Sequence, residues 1–233
     1  MITVLCFKWA GYRAKDYDCG AVNRLRSMLA RNLTVEHELV CCTDNAEGIN
    51  AGIRIVPMPK EALELPERYP KLYAFHPDGA RLFGKRVALL DLDIVIVGNI
   101  DSILTRTEPF VGLETDGWGN GSRFRFNTTF ALFDGGAYPN IWSDFEYDRS
   151  REIVAAIRRT RNRGGTDQHW VSYCLNNEGA GYPHGGQEFE TFHDLPDRAV
   201  LPDAARIISF GGAENPRLGE CQRAAPWIME HWR

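Results

Sequence analysis

The residues best suited to chemistry are two aspartates, Asp91 and Asp93, that interrupt a long aliphatic run. Arg86–Leu90 has the composition of a buried strand, and the apolar pattern resumes over Ile94–Val97. Residues two apart on a strand project to the same face, so the sequence predicts two carboxylates side by side. Neighbouring carboxylates raise each other's pKa unless a cation compensates, and Mg²⁺ or Mn²⁺ takes carboxylate, phosphate and water oxygens. The pattern therefore predicts a divalent-metal site that serves a diphosphate.

The D-x-D spacing is weak evidence when it stands alone. The chain has 15 aspartates in 233 residues, so about one such pair is expected by chance. A second pair, Asp16 and Asp18, lies in a polar stretch that follows no strand, and we interpret it as a solvated acidic turn. Solvated turns do not normally interrupt an aliphatic run, and this context singles out Asp91 and Asp93.

The elements that must position these aspartates begin with a β-α-β-β pattern, which predicts an α/β fold with a nucleotide-binding sheet. Residues 57–84 contain five prolines and are predicted to be mostly loop with short helical pieces. The predicted strands are Ile2–Phe7, Glu38–Thr43, Gly52–Val56, Arg86–Leu90, Ile94–Val97, Phe110–Leu113, Phe126–Phe133 and Arg206–Phe210. The predicted helices are Ala21–Asn32, Arg151–Arg161 with Ser150 as its N-cap, and Thr166–Leu175.

Length and composition limit the class of protein. The chain has 233 residues, 44% apolar and 25% charged, which predicts one globular domain over residues 1–233. The formal net charge of −4 argues against a nonspecific nucleic-acid binder. No apolar run approaches the roughly 18 residues that cross a bilayer. The six cysteines form no C-x-x-C pair, and Cys6 and Cys41 lie in apolar runs, so we expect buried thiols in a reducing, cytoplasmic compartment.

The segment Leu89–Asp101 resembles the D-x-D segment of GT-A-fold glycosyltransferases, and it is most similar to the family-8-like bacterial enzymes. Five further blocks of the chain look like blocks of that family: Val22–Leu25, Cys42–Ile49, Pro70–Phe75, Phe126–Thr129 and Thr166–Trp170. The resemblance covers most of the chain. It implies an α/β, GT-A-like single domain with a Rossmann-like, nucleotide-binding mixed sheet flanked by helices.

The resemblance also implies roles for individual residues. Asp91 and Asp93 would bind the Mn²⁺ or Mg²⁺ ion that bridges the diphosphate of a nucleotide sugar. Asp167 and Gln168 would lie beneath the sugar ring, act in catalysis and steady the positive charge at the anomeric carbon. Binding of the nucleotide and donor would fall to Trp9, Tyr12, Asn23, Asp44, Lys71, Asp91 and Asn127.

Some of these residues also have simpler structural interpretations. Trp9 suits the edge of the core, Asn127 suits a strand-interior amide bonded to backbone, and Asp167 suits a helix cap. Six arginines lie between Arg149 and Arg163. They indicate a solvated helix face with long side chains over the surface, or alternatively a dock for an anionic acceptor.

The late part of the chain departs from the family pattern. Gly211 stands where the family has a histidine that completes the metal site, and Asn215 stands where it has a lysine that contacts phosphate. Arg217 is a candidate for the missing positive charge. The candidates for a replacement metal ligand are Glu214, His193 and His231.

The function implied by the resemblance is transfer of a sugar from a nucleotide-sugar donor, expected to be UDP-linked, with metal assistance and retention at the anomeric carbon. The acceptor is left open as a glycan, lipid-linked or other molecule, read by residues 114–123 and the segment after Tyr182, with peripheral membrane contact also open. One alternative is a nucleotide-sugar-binding protein with weak catalysis, since part of the metal and diphosphate site is replaced. A haloacid-dehalogenase-type phosphatase also uses D-x-D but needs a later lysine, and no lysine follows Arg86.

Overall fold

The computed structural model describes residues 1–11, 17–114, 124–158, 165–182 and 188–233. Its strands are β1 Ile2–Lys8, β2 His37–Thr43, β3 Arg54–Pro57, β4 Arg86–Leu90, β5 Ile94–Ile96, β6 Phe110–Glu114, β7 Phe126–Asp134, β8 Ala180–Tyr182, β9 Phe189–Thr191 and β10 Ile207–Ser209. Its α-helices are α1 Cys19–Asn32, α2 Lys60–Leu63, α3 Gly79–Leu82, α4 Asp101–Leu104, α5 Asn140–Ser143, α6 Tyr147–Arg158, α7 Asp167–Cys174, α8 Gly219–Ala224 and α9 Trp227–His231. Two 3₁₀ helices span Tyr69–Phe75 and Phe192–Asp194.

The strands form a large sheet and a small sheet. The large sheet has seven strands in the order β3-β2-β1-β4-β7-β6-β8, and the small sheet has three in the order β5-β10-β9. Strands β3, β2, β1 and β4 run parallel, whereas β7 lies antiparallel to both β4 and β6. The predicted α/β architecture with a mixed sheet flanked by helices is therefore confirmed.

The large sheet buries both of its faces, and the alternating side chains of β1 show how. Val4 and Cys6 join the core cluster on the side of helix α1, while Leu5 and Phe7 join the cluster on the opposite face. A parallel strand covered on both sides reads as a continuous apolar run because neither face needs polar residues. This explains why the N-terminal strand is so uniformly hydrophobic.

Helix α1 follows the predicted pattern closely. Its buried positions recur at helical spacing, and the N-cap is Asp18, whose carboxylate accepts a hydrogen bond from the backbone N–H of Ala21 at 2.9 Å. An aspartate at this position satisfies an amide that has no partner within the helix. Within the predicted acidic turn, Asp18 is therefore a helix start, and Asp16 lies outside the described residues.

Helix α6 corrects one predicted boundary. It begins at Tyr147, so Ser150 lies within the first turn and is not the N-cap. The Ser150 hydroxyl instead accepts a hydrogen bond from the backbone N–H of Glu146 at 3.1 Å, and the residue is buried. The acidic Asp148 in the first turn favours the earlier start through the helix dipole.

Two further observations concern the cysteines and the lengths of the helices. Cys6 and Cys41 are buried, and the six cysteines of the chain are free thiols. Within the described ranges, none of the helices combines the length and the apolar character that crossing a bilayer requires.

Candidate functional site

A cleft of about 1180 Å³ opens where the large sheet meets the small sheet. Drug-sized ligands typically occupy pockets of roughly 300–1,000 Å³, so this cleft has room for a large ligand or for two. It contains seven of the predicted site residues: Trp9, Lys71, Asp91, Asp93, Asn127, Asp167 and Gln168. Other lining residues include Tyr17, Arg68, Thr128, Thr129, Thr191, His193, Asp194, Ser209, Phe210, Gly211 and Glu214.

Lys71 is a buried residue of the cleft lining. It is carried by the 3₁₀ helix Tyr69–Phe75, all of whose residues are buried. The Lys71 Nζ atom lies 2.8 Å from Asp91 Oδ1 and 3.3 Å from Asp167 Oδ2. It also donates a hydrogen bond of 3.2 Å to the backbone carbonyl of Thr128. One ammonium group therefore joins the end of β4 to the start of α7.

Strand β7 makes the Thr128 carbonyl available to Lys71. The pairing register between β6 and β7 shifts between Gly112 and Leu113, because Gly112 pairs with Ala131 and Leu113 with Asn127, which leaves residues 128–130 of β7 without partners in β6. A register irregularity removes ladder partners locally and is common beside active sites. The Thr128 carbonyl there accepts the Lys71 ammonium instead. On the β4 side of the strand, the Thr129 carbonyl accepts the N–H of Asp91 at 3.0 Å and so extends the β4–β7 pairing to Asp91.

The charges around Lys71 keep it protonated. Burial lowers the pKa of the Lys71 ammonium, but the nearby negative charges of Asp91 and Asp167, the hydrogen bond to Asp91 and the more distant charge of Asp93 together outweigh burial and raise the pKa above its ordinary value. The side chain of Asp167 is only 2% exposed, so this carboxylate depends on Lys71 and Thr128 for its partners. The cluster of one cation and two carboxylates retains a net negative charge.

Asp91 and Asp93 lie in the short link between the two sheets, which corrects the prediction that both stand on one strand. Strand β4 ends at Leu90 and β5 begins at Ile94 in the other sheet. The backbone fixes both ends of this link, since the N–H of Phe210 donates to the Asp93 carbonyl at 2.9 Å. Both carboxylates still line the cleft, because the chain must turn from one sheet to the other at this point.

Tyr17 is a cleft residue that the sequence reasoning missed. Its hydroxyl donates a 2.8 Å hydrogen bond to Asp93 Oδ2, and its ring packs against the core cluster on the α1 side. The sequence carried one usable signal, an aromatic residue inside the D-x-D-like stretch just before α1. That stretch was interpreted as a solvated turn because no strand precedes it.

Asp91 and Asp93 could supply part of the coordination shell of a hard divalent cation such as Mg²⁺ or Mn²⁺. Among the described residues, no group of three or more His, Cys, Asp or Glu side chains could hold a metal ion. Mg²⁺ and Mn²⁺, however, are commonly bound by one or two carboxylates, with substrate phosphates and water completing the shell. Lys71 binds Oδ1 of Asp91. The donor set that suits such an ion is therefore Oδ2 of Asp91 together with the carboxylate of Asp93.

Asp167 and Gln168 begin helix α7 at the edge of the cleft. Asp167 Oδ2 accepts a 2.6 Å hydrogen bond from the Thr128 hydroxyl and faces Lys71, so its carboxylate does not serve as a helix cap. Thr166 holds the N-cap position, where the backbone N–H donates to His169 Nδ1 at 3.0 Å. The arrangement leaves a carboxylate and an amide at the cleft edge of the helix.

Trp9 and Asn127 each fit the structural interpretation and also lie where the donor-binding interpretation requires. Trp9 belongs to the core cluster opposite α1 and also lines the cleft, so it is both a core-edge residue and an available aromatic surface. Asn127 Oδ1 accepts the backbone N–H of Thr129 at 2.8 Å, which satisfies the amide oxygen locally. Its side chain still borders the cleft.

Three predicted donor-binding residues are not brought into the cleft by the described structure. Asn23 bridges the 48–50 loop, since its amide donates to the Gly48 carbonyl at 2.9 Å and its oxygen accepts the N–H of Asn50 at 2.8 Å. Asp44 Oδ2 accepts the N–H of Ala10 at 2.7 Å and thereby holds the segment that carries Trp9. Tyr12 lies outside the described residues.

The late segment shows what replaces the residues that depart from the family pattern. Gly211 lines the cleft, and a Cβ atom built there would meet nothing within 4 Å. Asn215 is buried and its oxygen accepts the N–H of Arg217 at 3.1 Å. Arg217 pairs with Asp18 at 3.2 Å and does not line the cleft. Of the three candidate replacement ligands, Glu214 and His193 line the cleft and His231 does not.

Comparisons with known proteins agree with the fold. The sequence matches no protein-family model, and no curated protein matches it. An active-site Gln→Glu mutant of LgtC superimposes with a TM-score of 0.60 at 9% identity, over 98% of this chain and 95% of that chain. The galactosyltransferase LgtC in complex with donor and acceptor sugar analogues gives a TM-score of 0.59 at 12% identity, over 100% and 97%. The glycosyltransferase GlyE in Streptococcus pneumoniae TIGR4 gives a TM-score of 0.63 at 9% identity, over 100% of this chain and 62% of that chain.

These matches confirm the predicted GT-A-like fold, which was inferred from motifs. At identities of 9–12% they establish the fold of the chain alone.

Proposed function

We propose that this chain is a glycosyltransferase that moves a sugar from a nucleotide-sugar donor to a hydroxylated acceptor in the cleft described above. The observation that carries the proposal is the buried Lys71 bound to Asp91 and Asp167, next to Asp93. Folding energy alone does not favour two carboxylates and a lysine in one buried cluster, because desolvation opposes burying charge. A cluster of this kind in the main cleft is therefore a candidate catalytic centre.

The donor is proposed to be a UDP-sugar whose diphosphate lies beside Asp91 and Asp93, the two residues that would hold Mn²⁺ or Mg²⁺. When bound, such an ion supplies Lewis-acid stabilisation for the departing nucleoside diphosphate. Trp9, which lines the cleft, is the aromatic residue proposed to contact the base. The match over almost the whole of LgtC supports one domain over residues 1–233, with the acceptor bound by the same domain.

The residues at the start of α7 are proposed to act on the sugar itself. Transfer breaks the bond between the anomeric carbon and a donor phosphate oxygen and forms a bond from that carbon to the acceptor oxygen. The acceptor proton passes to a departing phosphate oxygen. The Asp167 carboxylate and the Gln168 amide oxygen would face the positive charge that develops at the anomeric carbon, while Lys71 and Thr128 hold Asp167 in place. In the active-site mutant of LgtC, a glutamine is replaced by glutamate. A glutamine in the active site of a protein with the same fold supports a role for Gln168.

The test of this proposal combines binding with turnover. We expect UDP to bind more tightly when Mn²⁺ is present, measured by calorimetry, and we expect UDP to be released from UDP-glucose or UDP-galactose. NMR of the transferred anomeric proton would report retention or inversion, and retention is the proposed outcome. Tight Mn²⁺-dependent binding of UDP without release from any UDP-sugar would favour the alternative, a binding protein with little catalysis.

Removing the hydroxyl of Tyr17 should weaken metal binding. The Tyr17→Phe variant keeps the ring in its apolar site but loses the hydrogen bond to Asp93, so the carboxylate is less well oriented. Loss of such an outer partner typically costs about 10- to 100-fold in metal affinity, and we expect about tenfold weaker Mn²⁺ binding with UDP present. The exposed Tyr173 provides a matched Tyr173→Phe control with unchanged affinity. Equal Mn²⁺ affinity in wild type and Tyr17→Phe would contradict the orienting role.

Introducing histidine at Gly211 should strengthen metal binding. A side chain at Gly211 meets open space, and the preceding Phe210 donates its N–H to the Asp93 carbonyl. An imidazole there adds a neutral nitrogen ligand beside the two carboxylates, and we expect about tenfold tighter Mn²⁺ binding, close to 1.4 kcal/mol. Titration followed by electron paramagnetic resonance measures the free ion. The Gly211→Ala variant is the control, and if both variants bind Mn²⁺ as the wild type does, Gly211 does not adjoin the metal site.

A further inference from the structure

The cleft has two walls of different chemistry. One side holds the basic residues Lys71 and Arg68, from the 3₁₀ helix Tyr69–Phe75 and the residue before it, together with the Asp91 and Asp93 link. The opposite side, here called the small-sheet wall, consists of Thr191, His193, Asp194, Ser209, Gly211 and Glu214. The proposed donor site accounts for the first wall and adjoins the small-sheet wall at Gly211, next to Phe210, whose N–H binds the Asp93 carbonyl. The other residues of the small-sheet wall have no role in the proposed donor site.

The topology of the small sheet explains why these polar residues meet. Strands β9 and β10 run parallel, with Thr191 opposite Ser209 at their carboxyl ends. The segments that follow both strands therefore leave the sheet on the same side, at the carboxyl ends of the strands, which is where ligands bind in open α/β sheets. The two hydroxyl oxygens lie 3.4 Å apart, and the segments that follow bring in His193 and Glu214.

Glu214 is the most informative residue of this wall. Its Oε1 atom forms an ion pair with Arg198, whose Nη2 atom lies 2.7 Å away. Its Oε2 atom is buried and has no hydrogen-bond partner among the residues that the structure describes. A buried carboxylate oxygen without a donor is costly, whereas a hydrogen bond to a charged acceptor is among the stronger ones in proteins. The atom is thus well suited to accept a bond from a ligand hydroxyl.

The charge of the wall selects the kind of ligand. Glu214 is the acidic residue at its centre, and the Asp93 backbone adjoins the wall through the Phe210 N–H. The guanidinium of Arg198 is already bound to Glu214. Among the described residues that line this wall, none is a lysine or an arginine. The described arginines of α6, Arg149 and Arg151, do not line the cleft either. A phosphate group would meet like charge here, whereas neutral hydroxyls would find acceptors.

We propose that the small-sheet wall is the acceptor subsite, and that the acceptor is an uncharged, polyhydroxylated sugar that donates a hydroxyl to Glu214 Oε2 and contacts His193. This inference rests on the proposed function and narrows it, because it favours a neutral glycan over an acceptor that presents a phosphate. The exposed His193 ring, whose Nδ1 lies 3.9 Å from Glu214 Oε1, adds a donor or acceptor at the rim. The cleft volume leaves room for this second ligand beside the donor.

The experiment uses the full chain with Mn²⁺ and UDP-glucose or UDP-galactose, and measures UDP release without acceptor and with paired acceptors. The neutral probes are methyl glucoside, lactose and maltose, and the charged probe is glucose 6-phosphate, which adds a phosphate to a similar sugar. We expect at least one neutral sugar to be converted to a product and to be used at least tenfold better than glucose 6-phosphate. Preference for the phosphorylated sugar, or transfer to none of the neutral sugars by a chain that does release UDP, would overturn the assignment.

Variants separate this inference from the proposed function. Glu214→Gln keeps the shape but weakens the acceptor interaction, so the KM for the neutral sugar should rise about tenfold or more while kcat changes less. His193→Ala, at an exposed position, should raise the same KM without depending on the buried ion pair. Glu220→Gln, on the exposed side of α8, should match wild type. Absence of UDP release from every donor in wild type would reject the proposed function, whereas unchanged acceptor KM in both cleft variants would reject only the acceptor subsite.

Discussion

Replacing Lys71 by methionine is expected to lower the free energy of unfolding by about 3–5 kcal/mol, the usual cost of removing one partner from a buried ion pair. Methionine fills much of the same volume, so packing changes little. What changes is the charge, because Asp91 and Asp167 lose the ammonium group that lies 2.8 Å and 3.3 Å from them. The same substitution should reduce UDP release from the donor by at least about a hundredfold, because Asp167 and Asp91 are no longer held in place.

The controls for this prediction test charge specifically. Urea unfolding followed by circular dichroism gives the stability of each variant. Lys60 is exposed and pairs with Glu64 on the surface, so Lys60→Met should change stability by no more than about 0.5 kcal/mol. Adding Asp167→Asn to Lys71→Met should recover part of the loss, because one of the two unbalanced carboxylates is then neutral. A Lys71→Met variant as stable as wild type would show that the cluster is solvated.

The pH dependence of the Lys71 contribution follows from the direction of its pKa. The folded-state pKa of Lys71 is raised above the unfolded value, which is about 10.4 for lysine. A group with a raised folded pKa stabilises fully below the unfolded pKa and loses that contribution as the pH rises through the folded pKa. Titration of Lys71 should therefore leave the stability difference between wild type and Lys71→Met unchanged from pH 6 to 9, and reduce it only in strongly alkaline solution.

The sequence was sufficient for the elements that have a strong local period. The β1, α1, β2 and β4 regions were predicted within one or two residues at each end, because continuous apolar runs and helical spacing report burial directly. The same reasoning predicted that Asp91 and Asp93 stand on one strand, whereas the structure places them in the link between β4 and β5. The family-like blocks predicted the fold that the structural matches confirm. Short elements such as β8 and α5 carry too few residues to show a period, and they were not predicted.

The cleft depended on contacts that no local pattern reports. Tyr17 and Asp93 are 76 positions apart in the chain, and their hydrogen bond exists only because α1 begins beside the link between the sheets. Lys71 was singled out only through a family resemblance, whereas its link to Asp167 arises from the packing of the 3₁₀ helix against α7. Asn23 and Asp44 illustrate the converse, since polar residues near strand ends also serve to hold loops. Residue type and spacing could nominate the site, but only the tertiary arrangement separates ligand-facing groups from loop-holding ones.

Substitution of Asp93 by asparagine is expected to cause the largest loss of metal-dependent function. The change removes one negative charge and keeps the shape, and the backbone contact between the Asp93 carbonyl and Phe210 is unaffected. The fold should therefore persist, with a change in stability of no more than about 1–2 kcal/mol. Mn²⁺ binding in the presence of UDP should weaken by about a hundredfold or more, and UDP release should fall by a similar factor, because a carboxylate ligand has become a neutral amide.

The Asp93→Asn measurement needs two comparisons to be decisive. Asp203 is exposed and outside the cleft, so Asp203→Asn should retain wild-type metal binding and turnover. Wild type treated with EDTA should lose activity to about the level of Asp93→Asn, and added Mn²⁺ should restore the wild type but not the variant. Full activity of wild type in EDTA would remove the metal from the proposal. In that case Lys71 would be the group left to offset negative charge in the donor site, since the structure describes its ion pairs with both Asp91 and Asp167.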